Sequence, residues 1–126
     1  MPKAVRIHNL ARPEVKPLHA RYCASFFCRL RGLTFRRPLP PGRALLLVQP
    51  RESRIDASIH MLFVFTDLAA IWISDARTVV DVQQARAWRP AYWPKSPARY
   101  VLEADPAHLN DFSIGDSLEF EEVSPA

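Results

Sequence analysis

Glycine is scarce in this chain, with three residues in 126. That scarcity leaves no glycine-rich loop to cradle a phosphate and no nucleophile elbow, since both need glycine where the backbone turns sharply. No nucleotide cofactor is expected, and no motif for any other cofactor is present. Cysteine is scarcer still: Cys23 and Cys28 stand alone. Their C-x4-C spacing, even with His19 nearby, has no second half, so neither a zinc nor an iron–sulfur ligand set is complete. No helix-borne histidine pair supplies a metal site either. Buried, reduced thiols and no metal are the expectation, in keeping with a reducing compartment.

Long apolar runs are missing too. Runs such as Ala44 to Val48 have the length of a buried strand and fall far short of a membrane span. The opening MPKAVRIHNLARP never becomes apolar enough for a signal peptide. A cytoplasmic protein with no membrane partner is expected. Lysine is rare: 14 of the 17 basic residues are arginine, which favours planar contacts with carboxylate or phosphate.

What is present suffices for one ordinary domain. Apolar residues make up 48% of the chain, and a domain of this length buries roughly two-thirds of its unfolded surface without a staple. The net charge of +4 hides an asymmetry. Residues 1–54 carry 12 Lys/Arg against 2 Asp/Glu, whereas residues 55–126 carry 5 against 11. Either the first half builds a face for anions or nucleic acid, or the two halves interleave in space and neutralise each other.

Pro13 and Pro17 punctuate the start, so residues 1–17 read as an extended, partly mobile lead to a single globular domain over 18–126. Leu18–Cys23 reads as a first strand. Ser25 suits a helix N-cap, Phe26, Phe27, Leu30 and Leu33 share one helical arc, and Gly32 allows a stop. Pro38, Pro40, Pro41 and Gly42 make a loop. Ala44–Val48, His60–Phe65, Ala69–Ile73, Thr78–Gln83 and Ala98–Ala104 then read as strands joined by short links, which imply antiparallel neighbours. Residues 86–97 are too rich in proline for regular structure. Asp105-Pro106 opens a short helix over 106–112, and Leu118 and Phe120 face inward from a last strand. The fold class is mainly β, with a minor α+β character: a small barrel or rolled antiparallel sheet with two short helices.

The stretches CRLRGLTFRRPLPPGRALLL, SIHMLFVF, DLAAIWISDARTVVDV, AWRP, RYVLE and IGD, in this order, resemble domain-of-unknown-function family 192, a prokaryotic family, from about Tyr22 to Phe120. The resemblance implies a small, mostly β domain with no established activity. Gly32-Leu33 with Arg36, Ile59-His60-Met61, Val101-Leu102-Glu103 and Gly115-Asp116 match its pattern. One segment departs: where many members show an arginine followed by Pro-Ile-Asp or Pro-Leu-Asp, this chain has Phe65 and then Asp67-Leu68-Ala69. The aspartate position is Ala69, with Asp67 two residues earlier and on the same face of an extended segment. A glycine common after Leu-Pro-Pro-Gly is Ala44 here.

Several residues carry candidate chemistry. His60 is either a proton shuttle or ligand contact, or a histidine satisfied in the core. Glu103 follows three apolar residues, so a buried carboxylate is expected, paired with a first-half arginine such as Arg29 or Arg36, or else acting as a general acid/base. Trp88, Tyr92 and Trp93 lie among Arg86, Arg89 and Lys95, where the rings either pin the loop or stack on a ligand. The leading reading is a non-catalytic binding or accessory module with an arginine-lined anion site, in which Arg36, His60 and Glu103 share a cleft with Trp88 and Trp93 at its rim. The alternatives are a small hydrolase or transferase using His60 with Asp67 or Glu103, and a nucleic-acid-associated protein acting through the basic first half. The family aspartate missing at Ala69 favours binding over turnover.

Overall fold

The segment Leu68–Ile73 (LAAIWI) is buried at every position. A strand so uniformly apolar must be covered on both faces. In the computed structural model, which describes residues 4–25, 28–29, 39–61, 64, 66–89 and 91–123, it is one of seven strands in a single mixed sheet. In chain order these are β1 (Ala4–Asn9), β2 (Leu18–Cys23), β3 (Arg43–Ser53), β4 (Leu68–Ile73), β5 (Val79–Ala85), β6 (Ala98–Ala104) and β7 (Leu118–Val123). Their spatial order is β5-β4-β6-β3-β2-β1-β7. Every pairing is antiparallel except β2 with β3, whose link is the long crossover between Cys23 and Arg43.

The sheet is rolled, and every strand contributes to its inner core, from Val5 and Ile7 on β1 to Leu118 on β7. It does not close along its length. The leading ends of its two edge strands meet at one corner only, where Val79 N donates to Asp116 O and Leu118 N to Arg77 O. Arg77 sits beside this seam with its guanidinium 4.1 Å from the centre of the Phe120 ring. Phe120 in turn meets Tyr100 of β6 edge-on at 5.0 Å. Pro50 lies where the β3–β6 register shifts, between Val48 and Ser53, a position that tolerates a residue with no N–H to give the ladder.

Several expectations need correction. The sheet is open rather than a closed barrel, because β5 and β7 share only that corner. The lead is not separate from the sheet: Ala4–Asn9 pairs on both sides, with β2 and β7, because Val5 and Ile7 alternate with Arg6 and His8 and bury one face. His60–Phe65 is not a strand of the sheet where it is described. Ile59 forms an isolated bridge with Tyr92 instead, and Met61 bonds through its backbone to Trp88 and Arg89. The later helix is a 3-10 helix, Pro106–Asp111, with Asp105 as its N-cap. The earlier one lies mostly outside the described residues, although Ser25 does cap: its Oγ accepts from Cys28 N and its carbonyl from Arg29 N.

That same turn overturns the reading of the cysteines. It brings the Cα atoms of Cys23 and Cys28 to 5.6 Å, within disulfide range, and the two form a disulfide. Cysteine usage therefore gives no support to a reducing compartment. Among the described residues, no helix is long and apolar enough to cross a membrane.

Candidate functional site

A second core lies on the outer face of the sheet. Leu45 and Leu47 of β3, Ala70 and Trp72 of β4 and Val101 of β6 form its floor, and Ala57, Ile59, Met61 and Val64 form its roof. The roof is made of two connections that hold each other. Ile59 and Tyr92 exchange backbone bonds of 3.0 and 2.8 Å, Met61 N donates to Arg89 O, and Trp88 N donates to Met61 O. Two carboxylates fasten the second connection to the sheet. Asp67 Oδ1 accepts from Ala87 N at 2.9 Å, and buried Asp81 accepts from Lys95 N at 3.0 Å and from the Gln83 amide at 2.8 Å. The Arg54 guanidinium reaches Pro94 O at 2.9 Å. A proline-rich segment is thereby fixed without regular structure.

Alternation across this roof decides which side chains reach solvent. Ile59 and Met61 point in, and His60 between them is exposed. Tyr92 points in, and its hydroxyl accepts from Arg86 N at 2.8 Å. Tyr92 thereby pins the loop. Trp88 and Trp93 remain 46% and 53% exposed. Trp88 has a φ of 65°, in the left-handed region that a bulky residue rarely adopts. Arg86, Arg89 and Lys95 are exposed, and among the described residues their side chains make no ion pair. The outside of the roof thus combines two indoles with three cations.

Glu103 lies on the same face of the sheet as the floor residues. Its strand neighbours are Leu45 and Ala70, and its Oε1 is buried with no hydrogen-bond partner among the described residues. Burial pushes its carboxyl up to about 7. The expected arginine partner is not Arg29, whose guanidinium bonds Gln49 Oε1 at 2.9 Å and Ala24 O at 3.2 Å. Arg99, four residues along β6 and so roughly 13 Å away by strand rise, bonds Asp75 at 2.7 Å. Arg36 lies outside the described residues.

The structure thus gathers His60, Trp88 and Trp93 onto one layer, puts Glu103 on the sheet face that carries it, and spends Asp67 on holding it in place. The basic first half is partly neutralised by the second: Arg6 pairs with Glu121 at 3.1 Å, and Arg12 approaches Asp116 at 3.8 Å. Within the strand Thr78–Gln83, nothing in the sequence singles out Asp81. Its role as an anchor has no local signal, because its partner Lys95 is 14 residues on.

These features define a class: a small, mainly β domain with a rolled mixed sheet and a loop roof over its outer face. The chain belongs to domain-of-unknown-function family 192, described as Uncharacterized ACR, whose model matches residues 7–120. It is 44% identical over 117 residues to a UPF0127 protein of Thermococcus gammatolerans, covering 91% of this chain and 74% of that one. A UPF0127 protein of Pyrococcus furiosus is 33% identical over 114 residues, covering 89% and 95%. Among solved structures, a protein of Sinorhizobium meliloti provisionally described as a transcription regulator superposes with a TM-score of 0.81 at 19% identity, covering 95% and 94%. A protein of unknown function from Novosphingobium aromaticivorans superposes at 0.73 and 16%, covering 92% and 83%. Both share the fold.

Proposed function

We propose that this domain is a non-catalytic binding module and that its anion site is the outer surface of the roof. One observation carries the reading: Arg86, Arg89 and Lys95 are exposed without an acidic partner among the described residues, on a connection whose backbone is tied down at Asp67, Tyr92 and Asp81. A fixed backbone lowers the ordering cost of binding, and cations without a partner keep their charge for a ligand. The arginines of the site are Arg86 and Arg89 from the acidic half of the chain, with His60 beside them.

Turnover finds less support. His60 has no carboxylate within hydrogen-bond reach among the described residues, so no base–orienter pair is set up. The description of the Sinorhizobium meliloti protein belongs to that protein, and at 19% identity the likeness carries over the fold alone.

The test is calorimetric titration with inorganic tripolyphosphate. Saturable binding that weakens with salt and is abolished in the R86A/R89A/K95A variant is expected. An absence of heat at low salt, or equal affinity in the triple variant, would overturn the reading.

A further inference from the structure

The roof presents more than charge. Its cations flank two exposed indoles, and an apolar ring held in water at 46% or 53% exposure gains by stacking against a flat partner. The backbone at Trp88 is held by the bond from its N–H to Met61 O while its φ of 65° stays in the left-handed region. Trp93 follows Tyr92, the residue whose exchange with Ile59 fixes the far end of the segment. Both rings therefore stand on restrained backbone, five residues apart, with Arg89 between them, Arg86 before and Lys95 after. Ring faces alternating with cations match a chain that alternates flat bases with phosphates.

Resting on the anion site proposed above, we infer that its ligand is a single-stranded nucleic acid, with bases stacked on Trp88 and Trp93 and phosphates held by Arg86, Arg89 and Lys95. A duplex keeps its base faces in the stack and offers these indoles nothing, so single strands are preferred. An anionic ligand without rings would use the cations and leave both indoles idle. Base identity is not read by this mode, because every base has a ring face to stack.

The chain supplies its own reporter. Trp72 is fully buried, so quenching by added ligand reads Trp88 and Trp93. Fluorescence titrations compare a short oligothymidylate, a duplex of equal length and tripolyphosphate, each on wild type, W88A/W93A and R86A/R89A/K95A. The oligothymidylate is expected to quench the emission and to bind at least about 10-fold tighter than to W88A/W93A, followed there by anisotropy of a labelled strand. Raising sodium chloride from about 50 to about 200 mM is expected to weaken it roughly 20-fold, as three phosphate contacts require. If W88A/W93A binds the oligothymidylate as well as wild type does, or the duplex binds more tightly, the nucleic-acid inference is overturned while the anion site stands. If neither oligothymidylate nor tripolyphosphate binds wild type, both fall. Because both rings are exposed, the variants are expected to fold, and conservative W88F/W93F, which keeps flat rings, is expected to recover most of the affinity.

Discussion

The indole Nε1 of Trp72 donates to the carbonyl of Ala57 at 2.7 Å, a bond made entirely in the interior. Trp72 belongs to the sheet and Ala57 to the roof, so this bond and the packing around it join the two layers. Trp72→Phe keeps a ring but orphans the buried carbonyl and leaves a void. A loss of about 3 kcal/mol is expected, combining an unsatisfied acceptor with a partly filled cavity. Urea denaturation measures it, and a loss below about 1 kcal/mol would show that the roof is held elsewhere.

Glu103 makes stability depend on pH in an unusual direction for a carboxylate. Its folded pKa is raised from 4.5 to about 7 by burial. Below the unfolded value both states hold the proton and nothing changes. Between the two values the folded state keeps a proton that the unfolded chain releases, so stability falls as pH rises, by about 1.4 kcal/mol per unit. Above about 7 the carboxylate is charged in both states, and a penalty of roughly 3 kcal/mol remains. Glu103→Gln has no such charge. The variant is expected to match wild type near pH 4.5 and to exceed it by roughly 3 kcal/mol at pH 8. Denaturation at the two pH values reads the difference, and a difference independent of pH would mean that Glu103 has a charge partner.

The Cys23–Cys28 disulfide closes a short loop at the end of β2. Closing so few residues constrains the unfolded chain modestly, by about 2 kcal/mol in the chain-entropy view. Reduction with a dithiol, or C23S/C28S, is expected to lower stability by that amount while leaving the sheet intact. Mass spectrometry after alkylation establishes the oxidised form; two free thiols in the native protein would contradict it.

How much of this was legible in the sequence varies by residue. The strands Leu18–Cys23 and Ala98–Ala104 have the bounds that their apolar patterns gave, because β propensity and sheet pairing agree there. Ala4–Asn9 carries the same alternation, yet Pro13 and Pro17 suggested a loose lead, and only the register with β2 and β7 shows otherwise. The burial of Glu103 could be read from the apolar residues before it. That its Oε1 finds no partner among the described residues could not, because Leu45 and Ala70 come beside it from strands far off in sequence. The C-x4-C spacing by itself does not distinguish a disulfide from two free thiols, although the Ser25 cap that closes the turn is legible in the sequence. Trp88 and Trp93 read equally well as pins or as platforms, and what separates them from Tyr92 is a roof whose pairing no local pattern encodes.

Trp88 allows stability and binding to be separated at one position. Its φ of 65° costs a non-glycine residue roughly 1–2 kcal/mol, whereas glycine accepts it freely and gives back about 0.5–1 kcal/mol in unfolded-chain entropy. Trp88 is 46% exposed, so nearly half of its surface has no packing to lose. Trp88→Gly is therefore expected to fold with a stability within about 1 kcal/mol of wild type. If the ring is a platform for a ligand, the same variant loses at least about 10-fold in affinity for oligothymidylate, and the quenching that remains comes from Trp93. Denaturation and titration of one preparation give both numbers. A stability loss above about 2 kcal/mol would mark Trp88 as a structural pin, with a strained backbone kept for packing. Unchanged stability with a selective loss of affinity is the signature of a side chain retained, at a cost in backbone strain, for what it meets outside the fold.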